Sequence, residues 1–373
     1  MSYGSVPRHR WMALDTVRND AYAAALAQVV GPDTVVLDLG AGTGVHGLMA
    51  ARMGARRVYL VEPEDIISVA EEIAEANGLR DRVQCIQGRI EDVSLPERVD
   101  VIVSVLTGNF LVTEDLLQTL FYARDHVLKP GGALIPSAAT MEAAPVSAAK
   151  LHAESIASWS VSQHGVDLAV ARPYAGNTVF YRSEELRDVP MLAEPQVIHR
   201  VDFHSDGYDA VKVETTYEVT TTGMCHGWVG WSSIKLGGTW LSTSPHAAPV
   251  HWSQAFLPLD PPVMLTRGER VVFTLARAPH GDWTWGMRTE SAKRRHSTLL
   301  SMPMVARTLR QAALDYRPTL SVDGRAQKFV LSMCDGTRPV QTIAQSLRDE
   351  FPDRFSAPDE AVRFVQGVVR QLA

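Results

Sequence analysis

Cysteine is scarce in this sequence, which contains three cysteines in 373 residues. Cys85, Cys225 and Cys334 are far apart, and no Cys-x-x-Cys pair occurs. Their odd number and wide spacing exclude a disulfide framework and a paired-cysteine metal site, and they are typical of a reducing cytoplasm. GxSxG, HExxH and P-loop lysine motifs are also absent, and the twelve histidines show no ligand spacing. We therefore expect no metal ion.

Long apolar runs and an excess of positive charge are missing as well. No run of about 18 apolar residues occurs, and the N-terminus has no apolar segment of a secretion signal. The formal net charge is −6, which argues against a nucleic-acid-binding surface. The short basic stretch at residues 291–296 is typical of a solvated face. The sequence therefore predicts a soluble, cytoplasmic protein without a membrane or nucleic-acid partner.

The most informative feature that is present is a glycine-rich turn between an apolar run and a helical pattern, VVLDLGAGTGVHGLMAARMGA at residues 35–55. Glycines let the backbone approach a ligand, and the start of a helix offers unpaired N–H groups. The next apolar run ends in Glu62, where an acidic residue can accept hydrogen bonds from both hydroxyls of a ribose. The spacing GxGxG resembles the class I methyltransferase motif, and this favours S-adenosylmethionine over a dinucleotide.

Residues 1–136 are predicted to form a Rossmann-like α/β domain that begins with a helix over about residues 10–30. Strand candidates alternate with helical stretches, which predicts a parallel sheet with right-handed crossovers. Ligands bind at the carboxyl ends of such strands, where we expect Asp38, Glu62, Glu91 and Ser104. The strand candidates are residues 35–39, 58–61, 83–87, 99–104 and 133–135.

Two further domains are predicted after residue 136. Residues 137–304 contain short β-like runs broken by Gly, Pro, Asn and Asp, and these runs predict an antiparallel sandwich or barrel. Residues 305–373 return to helical spacing around the stretch KFVLSMCDGTRPV. We interpret that stretch as a short strand and a turn at Asp335 and Gly336 before a helix. Helices around such a hairpin would form a small winged-helix-like domain.

Four segments, in this order, resemble the protein arginine methyltransferases, and the resemblance covers roughly residues 8–290. It implies the fold predicted above, with a β-barrel as the second domain. Residues 163–183 fall where the family has its dimerisation arm, so the resemblance also implies a homodimer; the alternative is a simple loop. The segments are HRWMALDTVRNDAY (9–22), GRIEDVSLP (88–96), VDVIVSVLTGNFLVTED (99–115) and WLSTSPHAAPVHWSQ (240–254).

The resemblance implies a cofactor site for S-adenosylmethionine and its product S-adenosylhomocysteine. Arg18 would pair with the methionine carboxylate, although an ordinary surface ion pair with Asp15 is the alternative. Glu62 would hold the ribose, and the Ile90 backbone with the Glu91 carboxylate would contact the adenine. The implied cofactor-binding residues are Arg18, Asp38, Gly40, Gly42, Glu62, Ile90 and Glu91.

The acceptor site that the resemblance implies departs from the family pattern. The family has a glutamate at both ends of one loop to hold a guanidinium, but here the first position is Val105 and only Glu114 is present. One carboxylate and a valine balance a buried guanidinium poorly. Further changes in the family motifs are Leu106, Thr107, Asn109 and Val250. The implied catalytic residues are Asp15, Glu114 and His251, and the implied substrate contacts are Met12, Val105 and Trp252.

The C-terminal stretch LSVDGRAQKFVLSMCDGTRPVQTIAQSLRDEFPD, residues 320–353, resembles the RiPP recognition element, a winged helix of the pyrroloquinoline-quinone peptide chaperone family. In that family, strands of the module bind a leader peptide by strand addition. The alternative is an appendage for packing or dimerisation. Because Asp-Gly-Thr before an amphipathic helix is also a common turn and cap, the resemblance rests on the whole stretch.

We therefore hypothesise a methyltransferase that tailors a ribosomally made peptide at a group other than a guanidinium, with a C-terminal carboxylate as the first choice. One alternative is an arginine or small-guanidine N-methyltransferase that uses Glu114 alone. A second is a catalytically silent scaffold that binds peptide and cofactor. The complete set of cofactor-binding residues argues against this alternative.

Overall fold

The computed structural model describes residues 5–372, and the chain divides into two compact units, Met1–Pro303 and Met304–Ala373. Each unit has a hydrophobic core of its own. None of the helices in residues 5–372 is both long and apolar enough to cross a membrane.

The N-terminal segment contains two helices, so the prediction of one helix over residues 10–30 is wrong. Helix α1 covers Val6–Ala13 and α2 covers Thr16–Leu26. Asp15 separates them, because its carboxylate caps α2 by accepting a hydrogen bond from the Arg18 backbone N–H at 3.0 Å. The cap sets a new helix start that the periodicity of apolar residues did not reveal.

A five-stranded parallel sheet follows, in the spatial order β3-β2-β1-β4-β5. The predicted alternation of strands and helices is thus present. The connections change direction between β1 and β4, and this is the point at which open α/β sheets bind ligands. The elements are β1 Val35–Leu39, α3 Val45–Arg52, β2 Arg57–Glu62, α4 Ile67–Ala76, β3 Val83–Gln87, β4 Val99–Ser104, α5 Leu117–Val127 and β5 Leu128–Ile135.

Two antiparallel sheets form the second part of this unit, as the short β-like runs predicted. One has the path β7-β12-β10-β6-β8 with β11 paired to β10, and the other has the order β15-β14-β13-β9. Buried Trp228 of β10 stacks on Phe273 of β13, with 4.1 Å between ring centroids, and this contact joins the two sheets. The elements are β6 Ala138–Val146, α6 Ala149–Ser155, α7 Arg172–Gly176, β7 Phe180–Arg182, β8 Gln196–Asp202, β9 Val211–Glu218, β10 Gly223–Leu236, β11 Thr239–Ser242, β12 Gln254–Leu265, β13 Arg270–Arg277, β14 Thr284–Arg288 and β15 Lys293–Ser297.

The second unit is helical within its described residues, so the predicted strand and hairpin are wrong. The helices are α8 Ala306–Ala312, α9 Val322–Met333, α10 Val340–Glu350 and α11 Pro358–Leu372. The stretch interpreted as a strand lies in α9, where Ala326, Phe329, Val330 and Met333 follow helical spacing and pack in the core of the unit. The described part of this unit therefore offers no strand edge to which a leader peptide could add.

Candidate functional site

The glycine turn lies at the carboxyl ends of the central strands. Gly40, Gly42 and Gly44 have φ values of 70°, 54° and 77°, a left-handed region that disfavours other residues. A Cβ atom on Gly42 would lie 2.8 Å from the ring of His9, and one on Gly40 would lie 3.1 Å from the Leu106 side chain. The turn is therefore closed in on two sides, and glycine is needed for conformation and for space.

Two carboxylates, those of Glu62 and Asp38, hold this turn and the start of the next helix by accepting hydrogen bonds from backbone N–H groups. Glu62, the last residue of β2, accepts hydrogen bonds from the backbone N–H groups of Gly42 and Glu64, both at 3.0 Å. Asp38 accepts one from the Gly47 N–H at 2.7 Å. Burial raises the pKa of Asp38 to about 7, because the nearby Glu62 charge adds to desolvation while the Gly47 N–H only partly offsets it. Both residues lie where the sequence predicts them.

Arg18 is a buried cation without an acidic partner in residues 5–372. Its guanidinium donates to the Asn19 side chain at 3.0 and 3.2 Å and to the Met12 carbonyl at 2.5 Å. The Asp15 carboxylate contacts the Arg18 backbone instead, so the alternative of a surface ion pair does not apply. A buried guanidinium that contacts only neutral acceptors suits an anionic ligand group, such as the carboxylate of a methionine moiety.

Glu91, after β3, offers a carboxylate oxygen that accepts no hydrogen bond within the described chain. Its Oε1 accepts a hydrogen bond from the Thr119 hydroxyl at 3.0 Å. Oε2 is buried, lies 3.6 Å from Nε of Arg89 in an ion pair, and has no hydrogen-bond partner in the described chain. Ile90 beside it is buried. A carboxylate oxygen of this kind pairs with a donor such as the 6-amino group of adenine. Together with Arg18 and Glu62, these residues fit S-adenosylmethionine, which supplies a methyl group on a sulfonium.

The acceptor side is built around a pair that joins distant parts of the chain. Asp15 Oδ2 accepts hydrogen bonds from the His251 backbone N–H at 2.8 Å and from His251 Nδ1 at 3.0 Å. Burial lowers the pKa of His251, and the Arg18 charge lowers it further although Asp15 opposes this. Buried Trp252 packs beside His251 at 4.5 Å between ring centroids and lies 5.9 Å from the Arg18 guanidinium carbon. The histidine is therefore neutral near pH 7, next to the cofactor residues.

The loop that contains Val105 and Glu114 is anchored from the part of the unit that holds the two antiparallel sheets, residues 137–303, here called the β-domain. Phe110, Leu111 and Asp115 all have positive φ, which is costly for residues other than glycine. The Asp115 carboxylate compensates, because it accepts two hydrogen bonds of 2.6 Å from the buried Arg277 guanidinium and another from the Tyr208 hydroxyl. These donors hold the pKa of Asp115 well below its usual range, with Arg277 as the main cause.

At the two ends of that loop, the environments of the candidate residues differ. Val105 is half-buried and packs against the main core, whereas Glu114 is exposed. Gly108 lies beside Glu114, because a Cβ atom there would be 3.4 Å from the carboxylate carbon. Met12 is half-buried next to Arg18, and its backbone carbonyl accepts a hydrogen bond from the Arg18 guanidinium. The loop therefore presents one exposed carboxylate and one apolar side chain.

Several residues of the site escaped the sequence reasoning. His46 and Asn19 are buried beside Arg18, and both lie inside quoted motifs that assign them no role; Arg277 is far away in the sequence. The Asn109 side chain accepts a hydrogen bond from the Ser253 N–H at 2.7 Å and so joins the loop to the segment of His251. The available signal was membership of a segment that resembles the family, which holds for His9, Asn19 and Asn109. Within residues 5–372, no cluster of three or more His, Cys, Asp or Glu side chains is arranged to hold a metal ion.

Two family models match this chain. Residues 36–132 match a methyltransferase domain, and residues 137–288 match the arginine methyltransferase oligomerization subdomain. Histone-arginine methyltransferase CARMER of Drosophila ananassae is 32% identical in an alignment 307 positions long that covers 77% of this chain and 57% of that protein. The probable CARMER protein of Drosophila melanogaster is also 32% identical, over 77% of this chain and 58% of its own length. The chain thus spans little more than half the length of these relatives.

Solved structures agree with this relationship. The Trypanosoma brucei arginine methyltransferase 1 enzyme–prozyme heterotetrameric complex with S-adenosylhomocysteine matches with a TM-score of 0.71 and 25% identity, over 80% of this chain and 98% of that chain. Arabidopsis thaliana protein arginine methyltransferase 10 matches with a TM-score of 0.68 and 25% identity, over 79% and 99%. The chain therefore contains an S-adenosylmethionine-type methyltransferase domain followed by the second subdomain of arginine methyltransferases.

Proposed function

We propose that this protein is an S-adenosylmethionine-dependent methyltransferase whose acceptor is a group other than a guanidinium, with the carboxylate of a peptide as the first choice. The observation that carries the proposal is the half-buried Val105 at the end of the loop where related enzymes have a glutamate. The cofactor assignment is supported by the buried Arg18, by Glu62 with its bond to the Gly42 N–H, and by the Glu91 oxygen that accepts no hydrogen bond within the described chain.

The chain contributes position and electrostatics to the transfer. Arg18 binds the methionine end of the cofactor, Glu62 the ribose and Glu91 the adenine. The cofactor supplies the sulfonium methyl group. Methyl transfer is an in-line displacement, so alignment of the acceptor and removal of water supply most of the rate. Neutral His251, held by Asp15, can orient the acceptor by a hydrogen bond. A carboxylate acceptor is already deprotonated at neutral pH, so the site needs no general base for it.

Charge argues for a carboxylate over a guanidinium at the position of Val105. A half-buried second glutamate would repel an anion in a region of low dielectric, and valine removes this repulsion. Glu114 remains, but it is exposed, and two unit charges about 4 Å apart in water interact by only about 1 kcal/mol. A guanidinium, in contrast, loses one of the two carboxylates that would balance its desolvated charge.

Arginine methylation is the second candidate. The 32% identity to histone-arginine methyltransferases favours it, as do the retained Glu114 and the contact of Asp15 with His251. In that case Glu114 alone would orient the guanidinium. A silent scaffold is a third possibility, and it predicts cofactor binding without any methylated product.

The proposal includes a peptide substrate and a homodimer. The predicted arm, residues 163–183, exposes Val166, Val170 and Tyr174, which suits a subunit contact, and Trp159 and Val161 just before it are exposed as well. The C-terminal unit resembles a leader-binding module in sequence, but its described part is helical, so it would bind a peptide through helix surfaces rather than by strand addition.

The decisive experiment is the chemistry of the product. The protein is incubated with S-adenosylmethionine and the peptide encoded beside it, and the product is examined by mass spectrometry before and after mild base. A methyl ester is lost in base, whereas N-methylarginine survives. A base-stable methyl group on a guanidinium would establish the second candidate instead. Removal of residues 304–373 should raise KM for the full-length peptide and leave cofactor affinity unchanged, because the two units have separate cores.

A further inference from the structure

His46 is a buried histidine with a ring nitrogen that the fold leaves unsatisfied. It is the second residue of α3, directly after the glycine turn, and its side chain is about 4% exposed. Its Nε2 is buried and has no hydrogen-bond partner among residues 5–372. Buried polar atoms in proteins nearly always have a partner, so an unpaired one beside a ligand site requires an explanation.

Tyr22 fixes the ring of His46. The two rings are stacked with 4.4 Å between centroids and 29° between planes. The Tyr22 hydroxyl in turn donates to the Ser104 carbonyl, at the end of β4, at 2.9 Å. The imidazole is therefore held between α2 and α3 at the carboxyl edge of the sheet, where the ligand of such a fold binds.

The charges around His46 are those of the methionine end of the cofactor site. Its electrostatic neighbours are Arg18, His251 and Asp15. Burial lowers the pKa of His46 to about 3, and the Arg18 charge contributes to the lowering. A neutral imidazole protonated at Nε2 donates one hydrogen bond without placing a second cation beside Arg18.

We propose that His46 is a cofactor-binding residue whose Nε2–H donates to the carboxylate of the methionine moiety, beside the guanidinium of Arg18. Two independent observations meet here, the unpaired Nε2 and a buried guanidinium whose hydrogen-bond acceptors are all neutral. An anion placed between them satisfies both. The inference rests on the proposed cofactor.

The experiment compares two ligands by titration calorimetry on the full-length protein. S-adenosylhomocysteine contains the amino-acid carboxylate, whereas 5′-methylthioadenosine lacks the amino-acid part. His46→Leu keeps an apolar side chain against Tyr22 but removes both ring nitrogens. It should weaken S-adenosylhomocysteine about tenfold, since a hydrogen bond to a charged group is lost. The affinity for 5′-methylthioadenosine should change less than about twofold, because no partner of the adenosine is removed.

Two further variants test position. In His46→Gln the side-chain amide reaches the place of Nε2, and it should restore part of the affinity; in His46→Asn it falls short. If the leucine variant does not fold, the comparison of the Gln and Asn variants tests the inference instead. His152→Leu is the matched control, because His152 is also buried but bonds to the Leu259 carbonyl in the β-domain.

Equal losses for both ligands in His46→Leu, or equal affinities of the Gln and Asn variants for S-adenosylhomocysteine, would assign His46 a packing role and overturn the inference. If the unmodified protein binds neither ligand, the cofactor assignment itself fails. That outcome is distinguishable from a failure of the His46 inference, which requires a protein that binds the ligands.

Discussion

Asp15 and His251, 236 residues apart in the sequence, are joined by two hydrogen bonds to one carboxylate oxygen. The same side chain caps α2 through the Arg18 N–H. Burial raises the pKa of Asp15, but the bonds from the His251 side chain and from both backbone N–H groups outweigh it and lower the pKa. One carboxylate thus fixes the start of the helix that contains Arg18 and the histidine of the acceptor side.

Replacement of Asp15 separates its two structural tasks. Asparagine caps a helix as well as aspartate does, whereas alanine costs about 1 kcal/mol for the cap alone. Alanine also leaves the His251 N–H unpaired, so we expect Asp15→Ala to lower the free energy of unfolding by roughly 2 kcal/mol in total. Asp15→Asn can keep the cap through its one amide oxygen but turns an NH2 donor toward the His251 N–H, so it should lose about half of that in urea titrations followed by circular dichroism. Equal losses would contradict the capping role.

The raised pKa of Asp38 predicts a pH dependence of stability in the cofactor-free protein. Its carboxyl holds a proton up to about pH 7 in the folded state, whereas in the unfolded chain it titrates near about 3.9. Between these values the folded state binds more protons, so the free energy of unfolding falls as pH rises. Asp38→Asn removes this contribution. Urea titrations from about pH 4.5 to 7.5 should give a flatter dependence for the variant, and identical slopes would count against the assignment.

Glu91→Gln should change which base the cofactor site accepts. Oε2 accepts no hydrogen bond within the described chain, so it suits the 6-amino group of adenine and repels a 6-oxo group. The variant should bind S-adenosylhomocysteine about tenfold more weakly, because a charged acceptor is lost. Its new amide donor should improve binding of S-inosylhomocysteine, as measured by titration calorimetry. Asp92→Asn, an exposed charge next in the sequence, is the control. An unchanged ratio of the two affinities would refute the adenine contact.

Arg277→Ala should loosen the loop of Val105 and Glu114. The variant leaves Asp115 without its bidentate partner, and loss of one member of a buried pair typically costs about 3 kcal/mol or more. Lys129→Ala is the comparison, because its pair with Asp100 is much more exposed and should cost under about 1 kcal/mol. Denaturant titrations measure both losses. A similar loss in the two variants would mean that Arg277 does not hold the loop.

Val105→Glu should move the acceptor preference toward arginine. The variant restores the second carboxylate, so an arginine peptide should be methylated at least about tenfold faster than by the unmodified protein, which corresponds to about 1.4 kcal/mol of transition-state stabilisation. Val105→Gln has the same shape without the charge and should show no such gain. Transfer of a labelled methyl group measures the rates. If the glutamine variant gains as much as the glutamate variant, charge is not the cause.

The sequence alone determined the order of the domains and most of the cofactor site. Strand and helix alternation in residues 35–135 follows from local periodicity, and the glycine turn with Glu62 lies within one βαβ unit. Such signals are short-range, because the residues concerned are joined by a strand, a turn and a helix. The matching motifs also placed Asp15 and His251 in one site before any contact was known.

Tertiary structure decided the remaining features. The break at Asp15 depends on a side chain that finds backbone N–H groups in α2 and near His251. The stretch KFVLSM is β-like by composition, yet it folds as helix because Ala326 and Val330 complete a core with other helices. Arg277 anchors Asp115 across 162 residues, and the His46 ring stacks on Tyr22 of another helix with its Nε2 buried and unpaired within the described chain. Packing and charge between distant segments leave no periodicity in the sequence, so only the folded chain reveals them.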